Sequence, residues 1–148
     1  MLVKDIMSTQ VITVKPETPV KEIAQLLVDN DIKGVPVVDD SSGVIGVITE
    51  CDLILQNAKL HIPTFIQILD GVFPLGQKET EEELRRIVGA TADDVMSHPA
   101  IVIAPDATVD DLASLMWERK VNPVPVVEDG KLVGIVSRAD IVRLLAST

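Results

Sequence analysis

An α/β (α+β) architecture of two β-α-β-β-α repeats, packed sheet to sheet with pseudo-two-fold symmetry, follows from three features of the 148 residues. The chain repeats itself, its helical segments alternate with short apolar runs, and those runs are too apolar for one face of their sheets to meet water. Asp5-Ile6-Met7-Ser8 returns as Asp94-Val95-Met96-Ser97, an offset of 89. At that offset residues 5–38 align with 94–127 without a gap, and 12 of the 34 pairs are identical, where unrelated segments would share roughly two. After a one-residue shift in a turn, Gly46-Val47-Ile48-Thr49-Glu50-Cys51-Asp52 pairs with Gly134-Ile135-Val136-Ser137-Arg138-Ala139-Asp140. The expected domains are a first repeat over 1–56, an insert of loops and short helices over 57–90, and a second repeat over 91–148.

Within each repeat the elements follow in order. A short first strand is expected at Val11–Val14 and at Ala100–Ile103. Pro16 or Pro105 then precedes a helix, with Thr18 as cap and Pro19 in the first helical position of one copy, and a Thr108/Asp111 capping box in the other. Val20, Ile23, Ala24 and Leu27, like Val109, Leu112, Ala113 and Met116, recur at helical spacing and define one buried face. A hairpin follows. Val35–Val38 and Val44–Ile48 flank an Asp39–Gly43 turn, and Val124–Val127 and Leu132–Val136 flank Asp129-Gly130, a strong two-residue hairpin signal. Nearly continuous apolar strands require cover on both faces: helices on one, the twin repeat on the other. In the insert, Thr80 to Val88 reads as a capped helix stopped by Gly89, and Phe65 and Phe73 imply packing on its own domain or on a dimer mate.

Charge and composition exclude partners. Thirteen Lys and Arg against twenty-three Asp and Glu leave a net charge of −10, which repels a phosphate backbone or an anionic membrane. Aromatics are 2% of the chain, too few for base-stacking platforms. No nucleic-acid or membrane partner is expected, no run is apolar enough to span a bilayer, and the opening residues lack the apolar core of a signal peptide. Cys51, the single cysteine, cannot form an intramolecular disulfide, which suits a cytoplasmic, reducing compartment. It is expected as a small buried residue near a helix start. His61 and His98 are expected in surface loops, without metal-site spacing. Trp117 is expected at a helix or subunit interface.

No phosphate-binding loop, nucleophile elbow or zinc-protease motif is present. The carboxylate pairs Asp39/Asp40, Asp93/Asp94 and Asp110/Asp111 fall in turns and first helical turns, where helix dipoles favour them. No enzymatic activity, catalytic residue or metal is therefore expected. What recurs is Gly46, Thr49 and Asp52, and Gly134, Ser137 and Asp140, where a strand leads into a helix. Thr49-x-x-Asp52 and Ser137-x-x-Asp140 have the spacing of capping boxes and can simply start helices. They can also build a nucleoside phosphate site: unpaired helix N–H groups suit phosphate oxygens, a carboxylate one turn in can accept both ribose hydroxyls, and the apolar strands offer a wall for a base.

These motifs in this order, twice, resemble tandem cystathionine-β-synthase (CBS) domains paired as a Bateman module. The resemblance covers residues 2–56 and 91–146. It implies an adenosine-type ligand, AMP foremost with ADP, ATP or S-adenosylmethionine as further options, in clefts between the repeats. It implies ribose binding by Asp52 and Asp140, ribose or phosphate contact by Thr49 and Ser137, and an adenine site among Ile12, Thr13, Val35 and Pro36, or Ile101, Val102, Val124 and Pro125. Phosphate-facing positions before the proline hold Asp31 and Lys33 in one copy, Lys120 and Asn122 in the other, with Arg138 beside Ser137. So few cations favour AMP over ATP. The adenine nucleotide would be a regulatory ligand, with no cofactor, and the module would act in trans on an unidentified target protein. A flat homodimer is implied, with Leu53, Leu55, Val142, Leu144 and Leu145 compatible with its interface. The competing expectation is an interaction module whose clefts are degenerate and bind no nucleotide.

Overall fold

A computed structural model describes residues 1–58 and 90–148. The expected 80–88 helix, Phe65, Phe73, His61 and the side chain of Leu55 lie outside the described residues. The first repeat contains helix α1 (Val20–Asn30), strands β1 (Gly34–Val38) and β2 (Val44–Thr49), and helix α2 (Glu50–Ala58). The second contains a short helix α3 (Ala92–Val95), then α4 (Val109–Arg119), β3 (Val124–Glu128), β4 (Lys131–Val136) and α5 (Arg138–Ala146). This is the expected α/β duplication with small sheets.

The two hairpins are near copies. Both are antiparallel, and the register slips once in each, between Val37 and Val38 and between Val126 and Val127. Asp129 and Gly130 take positive φ (52° and 77°) in the two-residue turn, the geometry that matches strand twist. In the longer turn, Asp39 Oδ1 accepts the N–H groups of Ser41 and Gly43, both at 2.9 Å.

The first strands are shorter than expected, and a proline is the reason. Val14 N–H donates to the Pro36 carbonyl and Val38 N–H to the Val14 carbonyl, a single parallel bridge. The next rung toward Val11 would need an N–H from Pro36, which has none. Ile103 meets Val126 in the same way, and Pro125 ends that ladder. Residues 10–12 and 99–101 are thereby released from the sheets.

Helix starts differ from expectation at one point. The Thr108/Asp111 box forms, with the Asp111 N–H donating to Thr108 Oγ1 at 3.0 Å. Thr18 does not cap: α1 begins at Val20 behind Pro19, and Thr18 Oγ1 instead accepts the Lys15 N–H at 2.9 Å. Thr108→Ala is accordingly expected to cost about 1 kcal/mol of stability in a denaturant melt, and Thr18→Ala clearly less.

Each repeat completes its core with the opening segment of the other. Val3 is fully buried with Leu112, Met116, Val124, Val126 and Val136, and its N–H donates to Ala107 O at 2.8 Å. Ala92 is fully buried with Ile23, Leu27, Val35, Val37 and Ile48, and its N–H donates to Thr18 O at 2.9 Å. The duplicated Asp-h-Met-Ser motif serves this exchange. Asp5 and Asp94 each accept the N–H three residues back, from Leu2 and Thr91, at 2.8 Å. Met7 lies on Gly134 and Met96 on Gly46, so closely that an added Cβ would come within 2.6 Å of the sulfur. Ser8 pairs with Ile135 and Ser97 with Val47 through backbone bridges.

At the pseudo-two-fold, equivalent positions touch. Gly34 and Pro123 correspond at the offset of 89, and a Cβ on Gly34 would lie 2.7 Å from Pro123 Cδ and 2.9 Å from the Ile48 carbonyl oxygen. Neither neighbour is a flexible tip. Gly34→Ala is expected to destabilise by about 1–3 kcal/mol, read as a lower melting temperature, whereas alanine at Gly43, facing only the Asp39 side chain, should cost less.

Candidate functional site

Two clefts open where the repeats meet, and the released residues 10–12 and 99–101 form part of their walls. The larger, about 680 Å³, is headed by Thr49, Glu50, Cys51 and Asp52 at the start of α2, and its opposite side is Ala100, Ile101 and Lys120–Pro123. The smaller, about 500 Å³, has Ser137 and Asp140 from the start of α5 facing Gln10–Ile12 and Asp31–Gly34. Each cleft thus takes its carboxylate from one repeat and its apolar wall from the other. Lys33, Pro123, Ser137 and Ala139 border both.

The two aspartates are built alike. Asp52 Oδ2 accepts the Thr49 N–H at 2.9 Å and its hydroxyl at 3.2 Å, and Asp140 Oδ2 accepts the Ser137 N–H at 2.7 Å and its hydroxyl at 3.2 Å. One oxygen of each therefore closes a capping box. The second oxygens differ. Among the described residues Asp52 Oδ1 accepts only the Ser97 hydroxyl, at 3.0 Å, a neutral partner that a sugar hydroxyl can replace. Asp140 Oδ1 is engaged by the Arg143 guanidinium. The capping and binding readings of these motifs are compatible, because a carboxylate has an oxygen for each.

Charge also separates the clefts. Among the described residues, the Asp52 cleft carries Lys33, Lys120 and Arg138 against Glu50 and Asp52, a cationic patch on a protein of net charge −10. The Asp140 cleft carries Lys33 and Arg143 against Asp31 and Asp140. Lys33 Nζ lies 3.5 Å from Glu50 with both side chains exposed, a pairing worth little in water. Lys120 Nζ sits 3.9 Å above the Trp117 ring. Asn122 Oδ1 accepts the Arg138 N–H at 2.9 Å, fixing two residues of the second repeat that both border the Asp52 cleft.

Several sequence-proposed residues fall elsewhere. Val35, Pro36, Val124 and Pro125 are fully buried core and border neither cleft; Ile32, Gly34, Val121 and Pro123 do instead. Thr13 and Val102 are exposed and border neither cleft. Cys51 is exposed, not buried, because the first turn of α2 presents it to the larger cleft. Trp117 is 75% exposed and packs within the chain chiefly against the Lys120 ammonium. His98 is exposed in a loop, as expected. Ser97 and Arg143 were missed. The recurrence of serine in both Asp-h-Met-Ser motifs is a signal that could have found Ser97; a single arginine three residues after Asp140 gives no comparable one. No group of three or more His, Cys, Asp or Glu among the described residues could hold a metal ion, and no described helix is long and apolar enough to cross a membrane.

A duplicated α/β module with a cleft on each side of its pseudo-two-fold is the class these features define. The CBS domain family model matches residues 3–57 and 92–147. The chain belongs to the CBS domain family. An uncharacterized protein of Methanocaldococcus jannaschii, MJ1426, is 30% identical over 154 residues, covering 98% of this chain and 91% of that protein. The chloroplastic CBS domain-containing protein CBSX2 of Arabidopsis thaliana is 33% identical over 137 residues, covering 88% of this chain but 56% of its own length. Two solved structures share the fold at 28% identity: CBSX2 in complex with AMP (TM-score 0.74, covering 99% of this chain and 96% of that one), and the CBS domain pair of MJ0100 with 5′-methylthioadenosine and S-adenosyl-L-methionine (TM-score 0.75, 98% and 99%).

Proposed function

We propose that the chain is a ligand-sensing regulatory module, with repeats 1–56 and 91–148 as its halves and 57–90 as an insert. It binds an adenosine-type nucleotide, AMP foremost, and controls a separate target protein without catalysis of its own. The observation that carries this reading is the Asp52 cleft, where a carboxylate oxygen held among the described residues by one hydroxyl, an apolar wall and three cations converge. Asp52 Oδ1 takes the ribose hydroxyls in place of Ser97, and Ile101 and Val121 flank the base. Lys33, Lys120 and Arg138 draw the phosphate. Relatives of the same fold are seen with AMP and with 5′-methylthioadenosine and S-adenosylmethionine, which supports an adenosine-type ligand here. A cytoplasmic location, with no nucleic-acid or membrane partner, belongs to the same proposal.

Thermal unfolding tests it. AMP at a hundredfold excess over its Kd should stabilise the chain by about 2.7 kcal/mol, a rise of roughly 5–10 °C at this size. ADP and ATP should shift it less, because each further phosphate meets no further cation among the described residues. If AMP, ADP, ATP and S-adenosylmethionine all leave the melt unmoved, the nucleotide reading fails and the interaction-module alternative stands.

The module is further proposed to form a homodimer. Val28 and Ile54 in one repeat and Trp117 and Val142 in the other stand at equivalent positions, and all four are exposed, with Leu145 beside the second pair. Apolar helix faces of this kind favour a covering partner. Light scattering should give twice the chain mass, and a monomer would refute the proposal.

A further inference from the structure

Because the clefts are related by the duplication, what distinguishes their ligands must lie at equivalent positions that differ. One such pair reverses charge. Asp31 closes α1 in the left-handed conformation (φ 51°, ψ 49°), and Lys120 closes α4 in the same conformation (φ 54°, ψ 47°). The two correspond at the offset of 89, so the duplicated backbone delivers a carboxylate to one cleft and an ammonium to the other.

The surrounding charges amplify the difference. In the Asp140 cleft Arg143 is already engaged by Asp140, and Lys33 leans toward Glu50 on the side of the other cleft. Asp31 has no ion-pair partner among the described residues. A phosphate entering there meets an uncompensated carboxylate, and like charges brought together weaken binding. In the Asp52 cleft the equivalent position attracts phosphate. Among the described residues Lys120 is held only by its contact with Trp117, which at an exposed site is weak and leaves the ammonium able to turn toward an anion.

We propose that the two clefts divide adenosine-type ligands by charge. The Asp52 cleft takes the phosphate-bearing molecule, the Asp140 cleft takes one whose 5′ substituent is uncharged or cationic, and Lys120 and Asp31 set the choice. This rests on the adenosine-binding reading above and deepens it: one chain reads two chemically different signals. Lys33, which borders both clefts, goes to the phosphate side, since the other ligand has no need of it.

The test is calorimetric titration of the full chain with three probes that differ only at the 5′ carbon: AMP, adenosine and 5′-amino-5′-deoxyadenosine. One AMP is expected to bind per chain, and the amino compound is expected to bind the AMP-saturated protein at a separate site, more tightly than adenosine does. Amide shifts should map AMP to Ile101 and Val121 and the amino compound to Ile12 and Ile32. Lys120→Asp should weaken AMP about tenfold, the scale of one charge-assisted contact. Asp31→Lys should add a second AMP per chain and weaken the amino compound about tenfold. Both substitutions install a residue that already adopts this backbone conformation in the other repeat, so folding is preserved. Two AMP molecules of equal affinity on the unaltered chain, or the amino compound displacing AMP from one shared site, would overturn the division and leave the nucleotide reading standing. Silence of all three probes would overturn the division and, with ADP, ATP and S-adenosylmethionine also leaving the melt unmoved, the nucleotide reading as well.

Discussion

Asp52→Ala is expected to weaken the proposed AMP binding by roughly a hundredfold. The expectation rests on how that carboxylate is divided. Oδ2 is committed to Thr49 and holds the start of α2, while Oδ1 faces a cleft where its partner is the Ser97 hydroxyl. A ribose offers two hydroxyls to an ionised acceptor, and hydrogen bonds to charged groups contribute about 1.5–3 kcal/mol each, so losing most of that pair corresponds to about two orders of magnitude in Kd. Alanine also removes the capping acceptor, at about 1 kcal/mol of stability, so affinity should be measured well below the melt. Asp52→Asn separates the two effects. It keeps an acceptor for the Thr49 N–H while the charge goes and the cleft-facing oxygen becomes an NH2 donor, so it should weaken AMP by about tenfold or more while the melt barely moves. An alanine variant that binds within threefold of the parent chain would remove Asp52 from the site.

Val3→Asp is expected to be the most damaging single change outside the clefts, and its damage should appear far away in sequence. Val3 is fully buried, yet the other buried residues of its cluster all belong to the second repeat: Leu112, Met116, Val124, Val126 and Val136. No cation lies among the residues of that cluster. A carboxylate there is buried without a partner, and a loss above about 3 kcal/mol follows. Hydrogen exchange gives the decisive readout. Protection should fall first across 109–136, while amides of 20–49 retain theirs. Ala92→Asp should produce the reverse pattern, because Ala92 plugs the first core. Loss confined to the repeat that carries the mutated residue in sequence would contradict the exchange of opening segments.

Local chemistry was readable wherever a residue acts on its own neighbours. Asp129-Gly130 turns the second hairpin because both residues accept positive φ, and Thr108 caps α4 through an atom three residues away. The duplication itself announced the pseudo-symmetry. Readability failed where the outcome depends on which of two equivalent surfaces a segment meets. Nothing near Val3 states that it docks on the second copy, since both copies present the same apolar hollow. The cleft walls misled for a related reason. Val35-Pro36 and Val124-Pro125 are apolar and adjacent to the motif aspartates in the pattern, but burial on both faces takes them out of reach of a ligand. The proline that shortens each first strand was visible, yet its effect needed the direction of the missing N–H, which only the paired strands supply. Cys51 follows the same logic: a helix-start residue faces core or cleft according to a neighbour contributed by the other repeat.

The trading of opening segments has a consequence for how such a chain comes to exist. During synthesis residues 3–8 stay unsheltered until residues as far along the chain as Val136 have emerged to receive them. A single copy of the repeat could close its interior in this way only with the opening segment of a second copy, and the tandem arrangement supplies that copy within one polypeptide.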